Sequence, residues 1–162
     1  MSETVKALLG RLGALVPGYA GYADRERRRE SDQALRLSVA ARLGSARAAI
    51  DRRTADCSRA GRFDVLEPLD ALSRRVATLA DSVRYAPAGY AALFDAATIG
   101  AAELDRLYAL DLAVRDACER IVDEAERLPA AVNEAVLEKT GATLSDAEAA
   151  VLRRAEALRE VK

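Results

Sequence analysis

The sequence predicts an all-α protein, an antiparallel bundle of three long helices with short N-terminal, corner and C-terminal helices. Its 162 residues are 51% hydrophobic but only 4% aromatic, and alanine-rich, aromatic-poor cores favour close-packed helices over sheets. Apolar residues recur at steps of three and four along three stretches, and no stretch alternates as a strand does. The length suits a single domain over residues 1–162.

The first two helices are predicted from their stop and start signals. A short amphipathic helix covers residues 3–15, before Pro17 and Gly18. The first long helix runs from about Asp24, a suitable N-cap, to about Ala60, with Gly61 just past its end. Its narrow apolar stripe predicts packing at a shallow angle and consists of Leu35, Val39, Leu43, Ala46, Ile50 and Cys57.

The second long helix is predicted from about Asp64, because Asp64 and Glu67 have capping-box spacing, to about residue 86. Pro87 then breaks it. A short corner helix, GYAALFDAA, is expected over residues 89–97. The apolar seam of the second helix steps strictly by three and four, through Leu69, Leu72, Val76, Leu79, Val83 and Ala86.

The third long helix is predicted from about Ala101 to Leu128, with Gly100 as N-cap. Its seam is Leu104, Leu107, Asp111, Val114, Cys118, Ile121, Ala125 and Leu128. Two short C-terminal helices are expected after it. One covers residues 130–140, and a Ser145–Glu148 capping box opens the other, which runs to about Val161. Its inward residues are predicted to be Leu152, Ala155 and Leu158.

The composition excludes several chemistries. The chain has no histidine, which removes Ser-His-Asp and Cys-His catalysis and ordinary zinc or di-iron sites. It also has no Gly-rich phosphate loop. Cys57 and Cys118 are far apart on apolar seams and are interpreted as small buried hydrophobes. We therefore expect no enzyme, no catalytic residue, no cofactor and no metal.

Charge is unevenly distributed along the chain. Residues 1–62 carry 13 basic and 7 acidic side chains, whereas residues 63–162 carry 12 and 19. This pattern fits either an anionic partner or pairing between the two segments. The arginines of residues 33–62 spread around the helix, which disfavours nucleic acid. Those beside the apolar stripe are predicted to pair with acids of the third long helix. A basic surface is left as a candidate at Arg25, Arg28, Arg29, Arg52 and Arg59.

Two Gly/Pro corners carry four of the five tyrosines, PGYAGY at 17–22 and RYAPAGY at 84–90. Turns do not require tyrosine, a large ring with a polar tip that suits half-buried surfaces and docking sites. Asp111 occupies a seam position, where an unpaired carboxylate is costly. Its expected partner is an arginine of the first long helix or a corner tyrosine. Asp111 is interpreted either as a structural lock, which fixes the register of the helices, or as a binding group.

The motifs PGYAGY with DRERRRE, RYAPAGYAALFD and ELDRLYALDL resemble those of a bacterial family of helical proteins that has no assigned activity. Members carry PGYxGY, RYAxxGYxxFFD and ELDRLYxxDL, and the resemblance spans about residues 16–115. Leu93 stands where the family pattern has an aromatic residue. The resemblance implies that one group of residues belongs together, namely Tyr19, Tyr22, Arg84, Tyr85, Gly89, Tyr90, Phe94, Tyr108 and Asp111.

These observations predict a bacterial, cytoplasmic protein whose work is binding. The leading hypothesis is an interaction or adaptor bundle that presents helix faces and tyrosine corners to another protein or to a second copy of itself, as coiled coils do. The alternative is a peripheral membrane-surface or anionic-polymer binder. That alternative would use the helix over residues 3–15 and the arginines of residues 25–62.

Overall fold

The computed structural model describes residues 3–24, 26–86 and 99–160, and this part of the chain is helical without any strand. The all-α prediction is therefore confirmed. A 3₁₀ turn at Phe63–Val65 precedes the third helix. The α-helices are α1 Glu3–Leu15, α2 Arg28–Arg59, α3 Leu66–Arg84, α4 Ala101–Glu126 and α5 Glu134–Glu160. The predicted corner helix at 89–97 lies outside the described residues.

The start of α2 differs from the prediction. The helix begins at Arg28 rather than near Asp24. The Arg28 side chain turns inward, where its Nε donates to the Tyr22 carbonyl at 2.8 Å. The preceding residues are thereby held in the corner instead of extending the helix. At the other end, Gly61 adopts a φ of +72° just past the helix, as predicted.

The C-terminal region is one helix of 27 residues, so the prediction of two short helices is wrong. Ser145 lies inside α5, and its hydroxyl donates to the Gly141 carbonyl at 3.0 Å instead of capping a new helix. Leu144 and Ala147 are fully buried on either side of this point. Tertiary packing outweighs weak local stop signals because it supplies most of a helix's stability in a folded protein.

Contacts between helices give their relative directions. Residue numbers run in opposite senses between α2 and α3 and between α4 and α5, but in the same sense between α2 and α4. The contacts are Arg36–Arg84 and Ser73–Asp51, then Arg106–Glu160 and Lys139–Glu124, then Arg42–Glu119 and Arg53–Leu128. The described part therefore contains four long helices of alternating direction rather than three, with α3 and α5 parallel.

The predicted seams form the core. The α2 stripe, the α4 seam and all of the α3 seam except half-buried Ala86 are buried. Cys57 and Cys118 are free and buried, as expected, and burial raises the pKa of Cys118 to about 12. The capping box predicted at Asp64 is wrong, because Asp64 pairs with Arg62 and α3 begins at Leu66.

The predicted pairing of α2 arginines with α4 acids occurs at Arg42, whose guanidinium donates to both Glu119 oxygens at 3.2 and 2.5 Å. Arg47 instead pairs with Asp51 in its own helix. Arg53 donates to the Leu128 carbonyl at 2.7 Å. Within the described ranges, no helix has the length and apolar character needed to cross a membrane.

Candidate functional site

The first tyrosine corner folds back onto α4. Gly18 and Gly21 have φ angles of +82° and +85°, a region that glycine enters without penalty. The Tyr22 N–H donates to the Tyr108 hydroxyl at 2.9 Å. A Cβ at residue 21 would lie only 2.7 Å from that hydroxyl oxygen. Glycine is thus required at position 21 both for its backbone angle and for the close approach.

Three buried tyrosine rings meet at this corner. Tyr22 and Tyr108 stack with centroids 5.8 Å apart and an angle of 9° between planes. Tyr19 stands edge-on to both rings. Burial raises the pKa of all three hydroxyl groups. The hydroxyls therefore stay neutral and act as hydrogen-bond donors and acceptors.

Asp111 is fully buried beneath these rings. The Tyr19 hydroxyl donates to Asp111 Oδ2 at 2.5 Å, and Arg154 Nε donates to Oδ1 at 2.6 Å. The tyrosine partner is the one that the sequence predicts. The arginine comes from α5, so the expectation of an arginine from the first long helix is wrong.

Arg154 extends the arrangement to α2. Its Nη2 donates to Asp32 Oδ1 at 2.8 Å and to the Tyr22 hydroxyl at 2.9 Å. Arg36 Nε donates to the other Asp32 oxygen at 2.8 Å. Burial by itself lowers the pKa of Arg154, but Asp111, together with Tyr22 and Asp32, raises it well above its usual value. We call Tyr19, Tyr22, Asp32, Arg36, Asp111 and Arg154 the polar cluster.

The structure brings together only part of the predicted corner group. Tyr19, Tyr22, Tyr108 and Asp111 are in contact. The Arg84 carbonyl accepts a hydrogen bond from Arg36. Tyr85 is 72% exposed and takes no part in the polar cluster. Gly89, Tyr90 and Phe94 lie outside the described residues.

The candidate basic surface is reduced by the fold. Arg28 is buried, so its assignment to a surface is wrong. Arg29, Arg52 and Arg59 are exposed, and Arg59 pairs with Asp56. Arg25 lies outside the described residues. The apolar face of α1 is engaged in the core through Val5 and Leu12.

A cleft of about 710 Å³ lies between α3 and α5, above α2 and α4. The Arg75–Glu148 ion pair, 2.8 Å long, joins α3 to α5 at one end of it. Leu152 lies on the α5 wall and is 57% exposed, so its predicted inward orientation is wrong. Other apolar residues that line the cleft include Leu35, Val39, Leu79, Val83, Val114 and Val151.

The cleft also contains Arg36 and Arg154, so the polar cluster forms part of its floor. Sequence reasoning missed Arg154. The available signal was its spacing, because Ala147, Ala150, Arg154 and Leu158 continue one helical face. A charged residue on that face, like Asp111 on its own seam, indicates a buried partner of opposite charge.

The described residues contain no group of three or more side chains suited to hold a metal ion. Comparisons with protein-family models, with curated proteins and with solved structures found no match. The candidate site therefore rests on the geometry of the cleft and of the polar cluster beneath it.

Proposed function

We propose that this protein is a non-enzymatic interaction module and that the cleft between α3 and α5 receives the apolar face of a helix from a partner protein. The cleft itself is the observation that carries this proposal. Its walls are two parallel helices, and its floor is mostly aliphatic. Amphipathic helices bind other proteins by laying an apolar face into such a groove.

The dimensions support a helical occupant. From Ala71 to Val83, the α3 wall extends about 18 Å at about 1.5 Å per residue. This length matches roughly three turns of a docked helix, which would present three or four apolar side chains. Leu152 at the edge, 57% exposed, supplies apolar area for a docked helix. Burying a leucine side chain contributes about 1.5–3 kcal/mol.

A matched pair of substitutions tests the proposal. Leu152→Glu places a charge in the cleft, and Leu37→Glu places the same charge on α2, away from the cleft. The two leucines are similarly exposed, at 57% and 49%. After capture of partners by cross-linking, we expect the wild-type protein and the Leu37→Glu variant to retain the same protein and Leu152→Glu to lose it.

Self-association is measured separately, by size-exclusion chromatography with light scattering. A dimer that Leu152→Glu dissociates and Leu37→Glu preserves would identify the partner helix as one from a second copy. Equal retention of every partner and every oligomer by both variants would refute docking in the cleft.

A further inference from the structure

We infer that the floor of this cleft recognises a carboxylate, so that the partner helix carries one Asp or Glu within its apolar face. The carboxylate would be bound by Arg154 and Arg36. This inference rests on the proposed function, since it specifies the chemistry of the helix that the cleft accepts. It is carried by the hydrogen-bonding capacity that these two guanidinium groups leave unused.

Arg154 has donors to spare in an apolar place. Its Nε and Nη2 are engaged by Asp111, Asp32 and Tyr22. In the described part of the chain, its Nη1 has no hydrogen-bond partner. The residue is only 6% exposed and lines the cleft. A guanidinium has five N–H donors in a rigid fork, so two of them remain available for an occupant.

Arg36 lies beside Arg154 and also has a guanidinium nitrogen that is not used in a hydrogen bond among the described residues. The two arginines bind opposite oxygens of the Asp32 carboxylate, which brings their guanidinium groups together. Arg36 Nε and Nη1 are used by Asp32 and the Arg84 carbonyl. Its Nη2 has no hydrogen-bond partner within the described ranges. The two guanidinium groups thus each keep a free donor nitrogen in the part of the chain that is described, and a carboxylate can accept hydrogen bonds on both of its oxygens.

The charges around the cleft favour an acid over a base. Asp32 and Asp111 balance Arg36 and Arg154, so the polar cluster has no net negative charge to oppose the approach of an anion. Arg159, also in the lining, has no ion pair in the described part of the chain. The other charged residues of the described lining are Arg74, which pairs with Asp70, and Arg75, which pairs with Glu148. Arginines thus outnumber the one acid, Glu148, in the described lining, which favours an acidic over a basic side chain.

The experiment compares alkyl probes that differ in their head group. Decanoate and decanol are titrated into the full chain, with binding measured by calorimetry and by the NMR signals of the arginine Nε–H groups. We expect decanoate to bind at least tenfold more tightly and to shift the Arg36 and Arg154 signals. Equal affinity for the two probes, or shifts confined to other arginines, would overturn the inference.

Variants locate the carboxylate. Arg36→Met should weaken decanoate binding about tenfold, which is about 1.4 kcal/mol, because it removes one hydrogen bond to a charged group. Arg52→Met, on the same helix but outside the cleft, is the control and should bind like wild type. The double variant Asp111→Leu/Arg154→Met removes a buried ion pair as a unit, which often preserves folding. It should lose the preference for decanoate over decanol, and an unchanged preference in both cleft variants would refute the assignment.

A pair of peptides identifies the source of the carboxylate. Two capped amphipathic helical peptides differ only by Glu or Gln at the centre of the apolar face. Tighter binding of the Glu peptide supports the inference. Equal binding of both peptides refutes carboxylate recognition but supports helix docking. Binding of decanoate with neither peptide would overturn the helical source and identify a free fatty carboxylate as the occupant. The proposed function is tested separately, by comparing partner capture by the Leu152→Glu and Leu37→Glu variants.

Discussion

The two tyrosine-bearing corners have similar sequences, but their described tyrosines lie in opposite environments. In the first, Tyr19 and Tyr22 are buried and their hydroxyl groups bind Asp111 and Arg154. In the second, Tyr85 follows the end of α3 and is 72% exposed. Glycine allows the first corner to reverse, at Gly18 and Gly21. The difference shows that a buried acceptor on a neighbouring helix, more than the turn motif, decides whether a tyrosine is structural.

The largest effect is expected from removing that acceptor. Asp111→Ala leaves Arg154 buried with one of its two carboxylate partners, and breaking a buried ion pair costs about 3–5 kcal/mol. The free energy of unfolding from urea titration measures this loss. The double variant Asp111→Leu/Arg154→Met should lose less than the sum of the single changes. Wild-type stability of Asp111→Leu alone, with unchanged assembly, would exclude the structural lock.

The next effect concerns the reversal of the first corner. Gly21→Ala forces a positive φ on alanine, at about 1–2 kcal/mol, and adds overpacking of about 1–3 kcal/mol against Tyr108. Gly61→Ala is the control, because its φ is +72° but no atom lies within 4 Å of the added Cβ. We expect the first variant to lose about 2–5 kcal/mol in urea titration, the sum of both contributions, and the second to lose only the backbone contribution. Equal losses would refute the close contact.

A smaller effect on stability compares one tyrosine from each corner directly. Tyr19→Phe removes one hydrogen bond to the buried Asp111 carboxylate and should destabilise the fold by about 1–3 kcal/mol. Tyr85→Phe changes an exposed residue and should stay within about 0.5 kcal/mol of wild type. Thermal and urea unfolding of both variants provides the measurement. A large loss in Tyr85→Phe would show that the second corner is structural as well.

The smallest effect at neutral pH is expected from the ionisation of the three buried tyrosine hydroxyl groups. Burial raises the pKa of Tyr19, Tyr22 and Tyr108 in the folded chain above the ordinary value of about 10. Their contribution to stability is therefore fully present below about pH 10 and is lost as pH rises further. We expect the tyrosinate absorbance of these three residues to appear together with the loss of helix. Earlier ionisation of all five tyrosines, with the helices intact, would contradict this.

Helical periodicity correctly predicted which face of a helix is buried, because that face depends on residues near one another in the sequence. The α4 seam, including Asp111 among apolar neighbours, is buried as its spacing indicates. The continuity of α5 was missed because Gly141 and Ser145 are local stop signals that packing against α4 overrides. The cleft could not be predicted, since it depends on how far α3 and α5 stand apart. Arg154 was missed because its partners, Asp111 and Asp32, belong to other helices.

The position of Arg154 has a consequence for biosynthesis. Its contacts reach back 132 residues to Tyr22 and 122 residues to Asp32. A ribosome therefore synthesises Asp32 and the first corner long before Arg154, whereas Asp111 precedes Arg154 by 43 residues. Before α5 is present, Asp111 lacks its arginine partner and Asp32 is paired only with Arg36 among the described residues, and burying an unpaired carboxylate is costly. We therefore expect docking of the first corner on α4 to be completed only after α5 has been synthesised, because α5 supplies the arginine that both carboxylates share.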